Sequence, residues 1–152
     1  MLDGFPPYAP NLSDLLAVVE IALAVMLVGG LVLVRTGHVR AHMILQSSII
    51  FVNIPIVLVG MVPAYLTYVR PYLAADFWEP AVLVPTIMLV CGGAAEALGI
   101  YIILVAGTNW IPERFRFRRY KLWMRTELVL WWGVVIAGLT TYWLFWVPGA
   151  SL

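Results

Sequence analysis

Four long apolar runs, separated by three shorter and more polar stretches, dominate the pattern of this chain. A bilayer core about 30 Å thick is crossed by about 20 apolar residues in a helix that rises about 1.5 Å per residue. Each run reaches that length, so we predict four transmembrane helices in a single membrane domain of residues 1–152. Their approximate bounds are 13–35, 39–62, 80–107 and 119–147.

Composition agrees with this pattern. The 152 residues are 63% hydrophobic and 11% charged, with a mean hydropathy of +0.97, which leaves too little polar surface for a soluble globule. We therefore predict an all-α integral membrane protein, an antiparallel bundle of four transmembrane helices. Because almost no chain remains for a soluble catalytic domain, and the sequence contains no nucleophile triad or phosphate loop, we expect no autonomous enzyme activity.

The positions of the basic residues predict the orientation of the bundle. Of the nine Lys and Arg residues, eight lie in or beside the first and third connections, and only Arg70 lies in the second. Basic connections favour the cytoplasmic side, so we expect both termini outside, in the plasma membrane of a prokaryote. We interpret the basic group near the third connection as an orientation signal or a contact for anionic lipids, and not as a nucleic-acid surface. That group consists of Arg114, Arg116, Arg118, Arg119, Lys121 and Arg125.

Three features shape the predicted connections. Gly37 is expected to cap the first helix and to permit a very short turn into the second. Pro55 removes a backbone donor and is expected to kink the second helix near mid-membrane. The second connection, residues 63–80, is rich in aromatic residues, so we expect a short interfacial helix or a re-entrant strap on the outer face.

Three glutamates, Glu20, Glu96 and Glu127, lie inside the apolar runs, where an ionisable group costs roughly a few kcal/mol. Glu96 shares its helix face with small residues, which allow a neighbouring helix to approach closely, so we expect it inside the bundle. Those small residues are Gly92, Gly93 and Gly99. Glu20 lies in the outer part of the first helix and is not expected to reach the other two glutamates.

The second helix carries a polar stripe on one face. Its members recur at spacings of four, four and seven residues, which a helix places on the same side. They are His38, His42, Gln46 and Asn53. From the depth along each helix, we expect His42 and Gln46 to share one layer with Glu96 and Glu127, and Asn53 to lie near that layer.

Three interpretations of this polar network remain open. In the first, protonated glutamates form hydrogen bonds that join the helices. In the second, the carboxyl groups and the histidine form a proton or ion path or border a quinone pocket. In the third, they bind a metal ion or haem iron.

The two histidines limit the third interpretation. His38 and His42, four residues apart, lie over one another on a helix and are able to share one metal ion. Two histidines of one helix cannot be the two axial ligands of one haem, because those approach from opposite faces. A haem at His42 therefore needs another ligand, such as Met43 or Met88. The single cysteine, Cys91, is expected to be a small buried apolar residue.

The helix layout and a few positions resemble a known family. A basic turn leads to GHVRAHMILQ, and after a long outer connection come EALGIYIILVAG and RFRRYKLWMRTELVLWWGVVIAGLTTYW. This arrangement, over about residues 35–143, resembles the CtaM-like family of small four-helix membrane proteins associated with respiratory oxidase maturation. Family members tend to have additional histidines in later helices, where this chain has Glu96 and Glu127. The resemblance implies a link to a respiratory or other redox membrane complex, with His42 as the position that carries over.

These observations favour an accessory subunit of a larger respiratory or redox membrane complex, which stabilises catalytic subunits and borders a cofactor, quinone or proton path. Its expected partners are larger integral membrane subunits and membrane lipids. Expected cofactors are a haem or metal at His42, or a quinone or lipid at a subunit interface. The alternative is a stand-alone haem- or metal-binding assembly factor for a respiratory oxidase. A proton-coupled carrier is a third interpretation, disfavoured because the sequence shows no pair of interrupted half-repeats.

Overall fold

The computed structural model describes residues 10–117 and 119–146, with side chains for residues 14–117 and 119–145. The regular secondary structure of these residues is entirely helical, as the sequence predicts. The α-helices are α1 (Pro10–Arg35), α2 (Val39–Ile56), α3 (Val62–Tyr68), α4 (Pro80–Gly107) and α5 (Tyr120–Trp146). A π-helical segment, Val57–Met61, joins α2 to α3, and short 3₁₀ turns follow at Arg70–Tyr72 and Glu113–Phe115.

Four helical segments of the described chain are long and apolar enough to cross a membrane, by length and composition. They are Asp14–Arg35, Val39–Tyr72, Pro80–Gly107 and Tyr120–Phe145. The prediction of four long apolar helices is therefore confirmed. The predicted end of the last helix, residue 147, lies outside the described residues.

The second of these segments differs most from its predicted form. It runs for 34 residues, Val39–Tyr72, whereas the sequence pattern predicts an end near residue 62. Pro55 interrupts the hydrogen-bond ladder, and the π-helical segment begins two residues later, where the Val62 amide donates to the Val57 carbonyl. Pro63 then lies in the first turn of α3, a position that tolerates a missing amide hydrogen. Most of the predicted outer strap is thus a continuation of the helix.

The turn between α1 and α2 has the predicted glycine cap. Gly37 has a φ of 84°, which a side chain disfavours. The Gly37 amide donates to the Val34 carbonyl, and the His38 amide donates to the Leu33 carbonyl, a pair of bonds that defines a Schellman motif. This tight turn makes α1 and α2 antiparallel neighbours.

The long segments form a ring in which α1 packs against α2 and α5, and α4 packs against α5 and α2. Large buried side chains from the ring meet at its centre, among them Leu27, Ile50 and Trp131. On the outside, large apolar side chains are exposed, for example Val59 at 78% and Val129 at 70%. The bundle therefore combines an apolar core with an apolar exterior.

Candidate functional site

A partly buried polar contact joins the last turn of α2 to α4. The Asn53 side chain is 7% exposed, and its Nδ2 donates a long hydrogen bond of 3.4 Å to Oε1 of Glu96. The second oxygen of Glu96, Oε2, is buried and has no hydrogen-bond partner within the described residues. One oxygen of Glu96 therefore accepts a hydrogen bond from Asn53, and the other is buried without a hydrogen-bond partner among the described residues.

Glu127 of α5 lies beside this contact. Its side chain is 8% exposed, and its Oε1 lies over Gly99 of α4 so closely that a Cβ at Gly99 would be 2.7 Å from it. The Glu96 carboxyl group is close enough to Glu127 to interact with it electrostatically. The indole of Trp131, one turn along α5, adjoins Glu127, but its Nε1 forms no hydrogen bond of ordinary geometry there. We call Asn53, Glu96 and Glu127 the inner polar cluster.

His42 and Gln46 lie at a different place, against α1. Nδ1 of His42 is 2.8 Å from the Gly30 carbonyl oxygen, and because a carbonyl only accepts, Nδ1 carries the hydrogen of this bond. A Cβ at Gly30 would come within 2.6 Å of Nε2 of Gln46. Gly30 thus gives both side chains room on α1.

The predicted network therefore divides into two groups. Asn53 bonds to Glu96, and Glu96 interacts electrostatically with Glu127, as expected of residues near one layer, whereas His42 and Gln46 contact Gly30. Three members of the stripe, His42, Gln46 and Asn53, contact other helices, whereas His38 is exposed, and α2 has α1 on one side and α4 on the other. Residues near the α1–α2 turn consequently reach α1, and Asn53, about two turns beyond Gln46, reaches α4.

Glu20 of α1 is buried like Glu127, whereas Glu96 is half-buried, and Glu20 does not belong to the inner polar cluster. It is 7% exposed and rests on Gly138 of α5, where a Cβ would be 2.9 Å from its Oε1. Its Oε2 is buried without a hydrogen-bond partner within the described residues. The sequence placed Glu20 in the outer half but gave no sign of this contact.

The candidate metal ligands are spread out. His38 is exposed, and its Nδ1 lies 3.0 Å from the Thr36 hydroxyl. Met43 is 44% exposed, and Cys91 is half-buried. In the described part of the chain, no three His, Cys, Asp or Glu residues are grouped in a way that could hold a metal ion. The two histidines contact different residues, His38 beside Thr36 and His42 beside Gly30, and a shared metal ion at this pair stays a prediction.

The basic residues have unequal surroundings. Arg116 is half-buried, and its guanidinium donates to the carbonyl oxygens of Thr108 at 2.6 Å and Ile111 at 3.0 Å. The Arg114 guanidinium lies 4.7 Å from the centre of the Phe115 ring. Arg119, Lys121 and Arg125 are exposed, which suits contact with lipid headgroups, and Arg118 lies outside the described residues. Arg116 thus stabilises the backbone of the third connection through these hydrogen bonds, and it also contributes a positive charge there.

Sequence reasoning missed two residues that contact the polar side chains. Ile50 of α2 fills the space over Gly99 together with Glu127 of the inner polar cluster, and Gly30 of α1 adjoins His42 and Gln46 at their separate site. Chemically, each of the two neighbouring carboxyl groups is able to bind and release a proton, whereas the Asn53 amide only donates and accepts hydrogen bonds. Comparison with protein-family models, curated proteins and solved structures found no match for this chain.

Proposed function

We propose that the chain is a multi-pass protein of a prokaryotic plasma membrane, with both termini on the outer side. The four apolar segments contain 22, 34, 28 and 26 residues, and about 20 suffice for one crossing. Large exposed apolar side chains such as Val59 suit a lipid environment. Eight of the nine Lys and Arg residues lie in or beside two of the connections, which favours those connections in the cytoplasm.

Cysteine labelling tests this orientation. In a Cys91→Ala background, Thr36→Cys and Asp76→Cys each introduce one thiol at an exposed position in the first or second connection. A membrane-impermeant maleimide should label position 76 in intact cells and position 36 only after permeabilisation. The reverse pattern would show that the bundle is inverted.

Within that membrane the chain acts as a non-catalytic accessory subunit of a larger respiratory or redox complex, and its inner polar cluster borders a proton or quinone path. The observation that carries this proposal is the meeting of Asn53, Glu96 and Glu127 from three helices inside the bundle. Ionisable residues at such positions are expensive and commonly mark proton relays or ligand sites. The link to a redox complex is supported by the resemblance to the CtaM-like family.

Purification through a tag on the chain, in mild detergent, tests membership of a complex. We expect mass spectrometry to identify larger membrane subunits in the eluate, and a reduced-minus-oxidised visible spectrum to show their cofactors. Recovery of the chain alone would contradict the proposal.

Two substitutions of Glu96 then test the role of the cluster. Glu96→Gln keeps an oxygen that accepts from Asn53, so assembly should persist while turnover of the complex falls. Glu96→Leu removes the acceptor, so assembly should fall as well. Glu113→Gln, at an exposed glutamate in the third connection, is the control and should change neither. Equal loss of assembly for both Glu96 variants would contradict both parts of this expectation, and unchanged turnover in Glu96→Gln would rule out a role for the ionised group.

A second candidate, a stand-alone haem- or metal-binding assembly factor, is favoured by one observation at His42. Its Nδ1 hydrogen is held by the Gly30 carbonyl, which leaves Nε2 as the nitrogen with a free lone pair in the neutral ring. Metal-binding histidines commonly have this arrangement. A lone chain with a haem absorption band would support it, and His42→Asn, which keeps a donor for Gly30, should remove the band without unfolding the protein.

A further inference from the structure

A cavity of about 400 Å³ lies between the four long segments, in the half of the bundle that contains Glu20. Small residues, including Gly93 and Gly138, form parts of its wall, and Asn53 lies at one end of it. The π-helical segment and α3 form another wall, with Tyr65 near the far end. Asn53 and Tyr65 are 12 residues apart, so the cavity extends over roughly 18 Å of helix. This size and shape suit a small ligand with a large apolar part.

Glu20 is the one charged residue among the described residues that line this cavity. Its side chain is 93% buried, and its Oε2 has no hydrogen-bond partner in the described chain. An isolated carboxylate in apolar surroundings is costly unless a cation or a proton accompanies it. The cavity therefore contains a negative group without a matching positive side chain.

Two tyrosines of the wall have their hydroxyl groups already occupied. The Tyr65 hydroxyl is 3.0 Å from the Thr86 hydroxyl, and the Tyr142 hydroxyl donates to Oδ1 of Asp14 at 2.8 Å. Their rings, and not their hydroxyl groups, are thus the parts left for a ligand. Aromatic rings attract organic cations through their electron-rich faces and accept apolar substituents equally well.

From the buried acid, the aromatic wall and the volume together, we propose that this cavity binds a lipophilic organic cation, an ammonium or phosphonium group with apolar substituents. The cation pairs with the Glu20 carboxylate, and its substituents pack against the apolar and aromatic wall. Charge complementarity selects a cation over a neutral molecule, because a bound cation offsets the cost of an ionised Glu20 and a neutral molecule does not. The proposed charge pair is at Glu20, and the inner polar cluster adjoins this cavity only through Asn53, so the proposal does not depend on the role of Glu96 and Glu127 and requires no partner chain.

The test is equilibrium binding of tetraphenylphosphonium to the purified full-length chain in lipid nanodiscs, with neutral triphenylphosphine oxide as the comparison ligand. Glu20→Gln keeps the size of the side chain but removes its charge, and should weaken binding by at least about tenfold. Gly93→Leu fills the cavity from a position where a Cβ meets nothing within 4 Å, and should abolish binding.

Gly133→Leu is the matched control, because a Cβ there also meets nothing within 4 Å and the residue does not line the cavity. It should bind the cation as the unchanged chain does. Absence of saturable binding to the unchanged chain would overturn the proposal. Unchanged affinity in Glu20→Gln or in Gly93→Leu, or equal affinity for the neutral ligand, would overturn it as well.

Discussion

Gly99 of α4 and Glu127 of α5 meet so closely that no side chain fits between them. A Cβ at Gly99 would lie 2.7 Å from Oε1 of Glu127 and would also overlap Cδ1 of Ile50. Real Cβ atoms essentially never approach another atom this closely, so a substitution at Gly99 forces Ile50 or Glu127 to move. The position of Glu127 in the inner polar cluster thus depends on the absence of a side chain at residue 99.

Gly99→Ala should therefore destabilise the bundle by about 1–3 kcal/mol, the usual range for overpacking a well-filled core. The measurement is the free energy of unfolding in mixed detergent micelles. Gly133→Ala, in open space on α5, is the control and should be neutral or slightly stabilising, because alanine favours helix over glycine by roughly 0.5–1 kcal/mol. Equal stability of the two variants would show that the α4–α5 contact is looser than described.

The sequence predicted that small residues near Glu96 would allow close helix approach, but it treated three glycines alike. In the structure Gly99 lies at a tight contact, a Cβ at Gly92 would be 3.7 Å from Val134, and Gly93 borders the cavity. All three lie on α4 within two turns. Whether a glycine of α4 contacts another helix depends on the side chains of that helix. The spacing of residues along α4 alone does not predict those contacts.

The contact between Asn53 and Glu96 should give a measurable but small coupling energy. A double-mutant cycle with Asn53→Ala and Glu96→Leu, which removes the acceptor, should give about 0.6 kcal/mol, the average for hydrogen bonds between membrane helices, because the donor–acceptor distance of 3.4 Å is long. The measurement is the unfolding free energy of the two single variants and the double variant in micelles.

A parallel cycle with Asn53→Ala and Glu20→Gln supplies the control, since the structure gives no hydrogen bond between those residues. It should give a coupling near zero. A coupling between Asn53 and Glu96 above ~2 kcal/mol would mean that the bond is shorter and stronger than the geometry indicates.

Hydropathy was sufficient to predict the four long apolar helices, because about 20 consecutive apolar residues have few alternatives to a long helix. It did not locate the end of the second one. Pro55 predicts a kink and Pro63 predicts the end of the helix. In the structure the π-helical segment Val57–Met61 lies between the two prolines, and the helix continues to Tyr72. Depth along the helices likewise predicts that His42 shares a layer with Glu96, but His42 contacts Gly30 instead. Depth gives the level of a residue in the bundle and not the neighbour that it contacts.

Gly37 should be sensitive to any residue that resists a positive φ. Gly37→Ala is expected to cost about 1–2 kcal/mol, since the φ of 84° brings a Cβ into steric conflict with its own backbone. Gly37→Asn should cost less, because asparagine adopts this conformation more readily. Melting temperature in micelles is the measurement, with Gly107→Ala, at the end of α4 and in open space, as the control. An unchanged melting temperature for Gly37→Ala would contradict the Schellman turn.

Arg116 separates two explanations for the basic residues, lipid contact and local structure. Its guanidinium reaches the carbonyl oxygens of both Thr108 and Ile111, a pair of contacts that the single ammonium of lysine cannot reproduce. Arg116→Lys keeps the charge, so a pure orientation signal would be unaffected. We expect instead that amides 109–117 exchange hydrogen for deuterium about tenfold faster, the effect of losing roughly 1.4 kcal/mol from a charged hydrogen-bond donor.

Arg119→Lys is the appropriate comparison, because Arg119 is exposed and lies at the start of α5. It should leave exchange in the third connection unchanged, and neither variant should alter cysteine labelling at positions 36 and 76, since both keep the positive charge. Exchange that stays the same in Arg116→Lys would mean that the connection is fixed by its aromatic contacts. Those contacts are the hydrogen bond from the Tyr101 hydroxyl to the Phe115 carbonyl and the packing of the Phe117 ring against Trp123.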